Sequence, residues 1–151
     1  MSANNWIYKF EEILSSEQLP EKCVGFVYMV TNTVNGKYYV GKKVLKNKLT
    51  KVLTKKEKLE WNKPGRIPKK KKQLKESNWK EYYGSSKTLL EDLEAHGKQA
   101  FERRILRLCY SKKQLSYYEE YYQMSLEVLA NDTYNESIAG RYYRRDLVDP
   151  E

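Results

Sequence analysis

A chain of 151 residues with 29 Lys and Arg against 20 Asp and Glu carries a net charge of +9. It is long enough for one domain with a core that folds unaided, and basic enough to favour a polyanionic partner such as nucleic acid over an acidic small molecule. Two cysteines far apart, Cys23 and Cys109, argue against a disulfide framework or a zinc knuckle and for a reducing, cytoplasmic setting. No window approaches 18 apolar residues and the N-terminus lacks a secretory leader, so neither a membrane nor export is expected.

Trp6, Ile7, Phe10, Ile13 and Leu14 recur at helical spacing, which predicts a short amphipathic helix over residues 6–15, ended before Pro20. Gly25 to Lys43 reads as two strands around Asn35-Gly36, a pair that accepts the positive φ angles of a two-residue type I′ loop. Folding back puts Tyr28 and Tyr39 on neighbouring strands, where their phenols can share one side of the sheet. Residues 44–80 are crowded with lysine and broken by Pro64-Gly65 and Pro68; they predict an extended basic insertion, a loop that either contacts DNA or is simply solvated.

Leu89, Leu90 and Leu93 give one apolar face to a helix that Ser85 or Ser86 caps and Gly97 ends. Phe101 to Tyr110 predicts a third strand, with Arg103, Arg104 and Arg107 along one rim. Ser111-x-x-Gln114 is a capping box that opens a helix reaching about Ala130, before an Asn131-Asp132 turn. Arg141 to Arg145 would contact a nucleic-acid backbone or close the sheet, and the tail from Asp146 would fray.

At about 100° per residue, Leu115, Tyr118, Tyr122, Leu126 and Leu129 form one stripe on that last helix; Glu119 falls inside it, while Glu120 points toward solvent. A carboxylate in an apolar stripe demands a cation, either a Lys or Arg partner or a metal. Phosphodiester hydrolysis needs an activated water, a hard cation and positive charge at the phosphate, and two phenols, one carboxylate and several lysines are the right residue types. His96, the single histidine, stands beside Gly97 at a helix end and reads as a C-terminal cap. Asn135 reads as a turn residue or as a hydrogen-bonding anchor in the site.

These residues, in this order, resemble the GIY-YIG nuclease family. Phe26-Val27-Tyr28 and Tyr39-Val40-Gly41 stand for its two triplets, with Asn35-Gly36-Lys37 between them; His96-Gly97, Phe101, Ile105-Leu106, Glu119, Tyr122-Gln123, Tyr134-Asn135 and Ile138 follow, a likeness spanning residues 24–140. The Trp79 to Ser86 segment and the basic insertion are similar to small phage-type, homing-like members. The resemblance implies an α+β fold, a three-stranded antiparallel sheet flanked by helices, that cuts double-stranded DNA with one Mg²⁺ (or Mn²⁺) held by Glu119 and no small-molecule cofactor. It implies Tyr28 as general base or water positioner, Tyr39 as phosphate orienter, Lys42 at a basic position of some members, and Asn135 as support. A phenol is a poor base at neutral pH, and Lys42 and Lys43 are the expected bias toward phenolate.

The chain departs from the family where an arginine usually follows the second tyrosine by about ten residues; Lys46, Lys48 and Leu49 stand there, so Lys43, Lys48 or Arg66 would substitute. Lys43, Lys46, Lys48, Arg66 and Lys69, Lys70, Lys71 and Lys72 are the expected DNA contacts. Nicking or double-strand cleavage would follow from a monomer or a homodimer. The alternative to an endonuclease is a non-catalytic nucleic-acid-binding module on the same fold, in which Glu119 merely closes a salt bridge.

Overall fold

The structure, a computed structural model, describes residues 4–150. In chain order the strands are β1 (Trp6–Tyr8), β2 (Glu11–Ile13), β3 (Gly25–Asn32), β4 (Tyr38–Val44), β5 (Lys46–Val52), β6 (Lys70–Glu76), β7 (Phe101–Cys109), β8 (Ser137–Ile138) and β9 (Tyr142–Tyr143). The helices are α1 (Lys55–Leu59), α2 (Lys87–His96) and α3 (Lys112–Ser125). None of them is long and apolar enough to cross a membrane. The described residues divide into two units, residues 4–45 with 78–150, and residues 46–77.

The first unit is α+β, and its sheet has five strands rather than three, in the order β2-β1-β7-β3-β4. The expected three are present as β7-β3-β4, all antiparallel; β1 adds to the edge of β7 in parallel and β2 pairs with β1. The extra strands replace the helix expected over residues 6–15. Trp6 pairs with Ile13 and both are buried, whereas Phe10 is fully exposed at the turn. Lys9 and Phe10 make that turn with φ of 48° and 72°, angles normally supplied by Gly or Asn, so the residue types concealed the hairpin.

The β3–β4 hairpin forms as expected but closes differently. The Lys37 carbonyl accepts from Asn32 N–H, leaving residues 33–36 as a four-residue loop in which only Gly36 has positive φ. β3 is buried on both faces. Phe26, Tyr28 and Val30 pack with Trp6, Trp79 and Leu89 of α2 on one face; Val27 packs with Val40, Val128 and Leu115 of α3 on the other. α3 stops at Ser125 instead of Ala130, because Glu127 turns to φ 50° after the Leu126 cap.

The arginines of β7 do not line one rim. Arg103 is buried, Arg104 is exposed, and Arg107 lies over the Tyr118 ring at 3.9 Å. Arg141–Arg145 neither close the main sheet nor stand free: β9 pairs with β8 in a separate two-stranded ribbon, a 3-10 turn over Arg144–Leu147 takes in the first two residues of the tail expected to fray, and the Arg144 guanidinium donates to the carbonyls of Val128, Leu129, Asn131, Thr133 and Asn135. Arg144 thereby sets the loop that carries Asn135.

The second unit is not an extended loop. β5 and β6 pair antiparallel from Lys46↔Glu76 to Val52↔Lys70, and α1, held by a Thr54–Glu57 capping box, lies in the connection between them. Lysine is a weak strand former, and Pro64-Gly65 and Pro68 sit in the connection rather than in the strands.

Candidate active site

The hairpin register puts Tyr28 opposite Gly41 and Tyr39 opposite Val30. The two tyrosines are therefore diagonal neighbours on one face, with ring centroids 6.2 Å apart. Gly41 makes room for them: a Cβ there would lie 2.8 Å from Tyr28 Oη and 2.8 Å from the Tyr39 ring. The segment before α2 closes over the pair. Tyr82 meets Tyr28 edge-on at 6.0 Å, and Ser85 Oγ lies 3.0 Å from Tyr39 Oη, while Ser86 is the residue that caps α2. Lys43 Nζ sits 4.0 Å above the Tyr82 ring. Gly41 is legible as the end of the second triplet, whereas Tyr82 and Ser85 belong to the Trp79 to Ser86 segment and carry no catalytic signal in the sequence. Gly41→Ala is expected to cost about 1–3 kcal/mol by urea denaturation, because both phenols must shift.

Beyond β4 no strand follows, so its outer backbone groups need other partners. Tyr134 N–H donates to the Tyr38 carbonyl. Asn135 brackets Val40, accepting from its N–H and donating to its carbonyl at 2.9 Å each, and Gln123 Nε2 donates to the same carbonyl at 2.9 Å. The Glu119 carboxylate of α3 faces Lys42 of this strand. One turn of α3 separates Glu119 from Gln123, so the helix offers two polar side chains to the strand edge at i and i+4. Gln123 is legible in the sequence as part of the Tyr122-Gln123 match, without a role attached. Asn135 bears on Val40, between Tyr39 and Gly41, rather than on a hydroxyl.

Glu119 is mostly covered, with 21% of its side chain exposed; Lys42 Nζ is 3.8 Å away and also donates to Ser116 Oγ at 3.0 Å. Burial raises the Glu119 carboxyl above the usual range, and Lys42 partly offsets this. Burial also pushes Tyr28 well above and Tyr39 above the ordinary phenol value, and the Glu119 charge raises both further. Lys42 faces Glu119 and Ser116, and Lys43 lies over the Tyr82 ring that meets Tyr28 edge-on. Glu120 is paired with Arg141 at 3.4 Å instead of pointing freely to solvent.

The alkaline limit of the fold follows from these groups. Burial raises the phenols of Tyr28, Tyr39, Tyr83 and Tyr134 and the thiols of Cys23 and Cys109, the last to about 11. Each keeps its proton in the fold at a pH where the unfolded chain has lost it, so their contribution is complete at lower pH and declines as pH rises past the unfolded values. A urea midpoint clearly lower at about pH 10.5 than at about pH 8, with a smaller drop in Tyr28→Phe, is the expected result.

Among the described residues no group of three or more His, Cys, Asp or Glu comes together. A lone carboxylate beside phenols is an all-oxygen donor set; it fits Mg²⁺ or Mn²⁺, which retain waters and take one or two carboxylates with substrate phosphate, better than zinc. His96 ends α2 and is exposed. Lys46, Lys48, Arg66 and Lys69–Lys72 belong to the second unit, where Lys71 is ion-paired with Glu57.

No curated protein and no solved structure matches the chain. A family model does, over residues 6–146, and its description is "Putative endonuclease segE, GIY-YIG domain". That match takes in both tyrosine triplets, Glu119 and Asn135, and the chain belongs to this GIY-YIG endonuclease family.

Proposed function

We propose that the chain is a divalent-metal-dependent DNA endonuclease whose centre is Tyr28, Tyr39, Lys42, Glu119 and Asn135. The observation that carries this reading is the packing of two phenols over a position without a side chain, on a strand whose Lys42 faces the Glu119 carboxylate of α3. Glu119 would hold the cation, Mg²⁺ or Mn²⁺, which when bound supplies positive charge to the scissile phosphate and acidifies water.

Tyr28 keeps its proton at neutral pH in the metal-free chain, so its first role is to hold and orient the attacking water by hydrogen bonding. It takes a proton only where added positive charge brings its pKa down. Tyr39, fixed through Ser85, is placed to donate to a phosphate oxygen. Lys42 would neutralise Glu119 and remain available to a phosphate, and Lys43, over the Tyr82 ring, would stand in for the usual arginine. Asn135 and Gln123 hold β4 and with it Tyr39 and Gly41.

One observation favours the non-catalytic alternative: the Lys42 ammonium, 3.8 Å away, already accounts for Glu119 as a structural side chain. Incubating supercoiled plasmid with Mg²⁺ or with EDTA separates the readings. Nicking that needs the metal is the expected result; binding without cleavage under Mg²⁺ and Mn²⁺ would overturn it.

A further inference from the structure

The second unit is a ribbon with two unlike faces. Directly opposed residues of an antiparallel pair share a face. By the observed register, one face carries Lys46, Lys48, Thr50 and Val52 of β5; opposite them stand Glu76, Leu74, Lys72 and Lys70 of β6. The other face is partly occupied by its own unit: Lys71 is ion-paired with Glu57 of α1, and Leu53, which continues that face beyond β5, is buried.

The first face is exposed along its whole length, including Val52 at 68% and Leu74 at 60%. It sets four lysines against one glutamate. Lys46 and Lys48 come from β5 and Lys70 and Lys72 from β6, so each strand presents two cations, with Leu74, Thr50 and Val52 beside them. The other face carries three lysines, Lys51, Lys71 and Lys75, with Leu49 less exposed at 36%; the first face, with four lysines and two well-exposed apolar side chains, better fits a polyanion that also offers apolar edges.

We infer that this face is a DNA-reading surface: the ribbon enters the major groove of double-stranded DNA, β5 lysines on the phosphates of one wall and β6 lysines on those of the other, with Thr50, Val52 and Leu74 toward base edges. Two strands about 4.8 Å apart, with their side chains, match a groove about 12 Å wide that admits a two-stranded ribbon. Lysine and apolar or threonine side chains have base-edge partners there in guanine and in the thymine methyl. The choice of DNA as the polyanion rests on the endonuclease reading.

The test reads binding alone. A labelled duplex is titrated with the full chain in EDTA, comparing Lys48→Gln/Lys72→Gln on the first face with Lys51→Gln/Lys75→Gln on the other, two variants of equal charge loss. The first pair is expected to weaken binding at least about tenfold and to flatten the slope of log affinity against log salt by about 2; the second pair should change affinity less than about threefold. Dimethyl sulfate footprinting should show guanine N7 protected, a major-groove atom, and that protection should fade in the first pair. Equal losses in both pairs, or protection of adenine N3 alone, would overturn the inference. Plasmid nicking together with equal losses would refute the ribbon and leave the endonuclease standing; groove protection without nicking would do the reverse.

Discussion

Glu119→Gln is expected to lose about 10²- to 10⁴-fold in metal-dependent cleavage rate while DNA affinity in EDTA stays within about threefold. Glutamine keeps the size of the side chain and an oxygen toward Lys42, so the packing of α3 on β4 survives the change. What disappears is the charge, and with it the affinity for a hard cation and the counter-charge to Lys42 Nζ. A structural role predicts the opposite pattern, a loss of stability with little specific loss of cleavage. Nicking rates over a Mg²⁺ titration, read beside the urea midpoint, separate the two. Unchanged nicking at every Mg²⁺ concentration would remove Glu119 from the centre.

Arg103→Ala is expected to cost about 3–5 kcal/mol, the largest stability loss of any single change discussed, measured by urea denaturation. The guanidinium is buried on β7, donates to the carbonyls of Asn4, Lys80 and Tyr82, and lies over the rings of Tyr83 at 4.2 Å and Trp6 at 4.8 Å. Removing it leaves three carbonyls without their donor and a void against two aromatic rings. Arg103→Lys should recover only part of the loss, since an ammonium lacks the planar fork and the stacking surface. Because the Tyr82 carbonyl is one of the three, the variant should also loosen the segment that covers Tyr28, and residual cleavage should fall even below the denaturation midpoint. A midpoint shift below about 1 kcal/mol would contradict this assignment.

Arg103 also shows why pattern reading failed where it did. Three arginines along a strand look like a charged rim, yet alternation sends Arg103 inward and Arg104 outward, and only the packed aromatic rings tell which is which. Lys9-Phe10 hid a hairpin because its turn uses positive φ without glycine or asparagine. The lysine-rich ribbon hid two strands because its pairing is held by backbone register and not by an alternating apolar pattern.

The sequence by itself determined the central hairpin, the third strand, helices α2 and α3 and the identity of the triplet tyrosines and Glu119. These rest on local rules: alternation, capping residues, a glycine that accepts positive φ, and helical spacing that keeps an acid among apolar neighbours. Only the tertiary structure decided that Tyr28 lies across from Gly41, that Asn135 and Gln123 complete the edge of β4, and that Lys42 faces Glu119 rather than Tyr28. Those contacts join residues up to 95 positions apart, and no local preference encodes them. They follow from satisfying the outward backbone groups of Tyr38 and Val40 on an edge strand while burying both faces of the strand beside it.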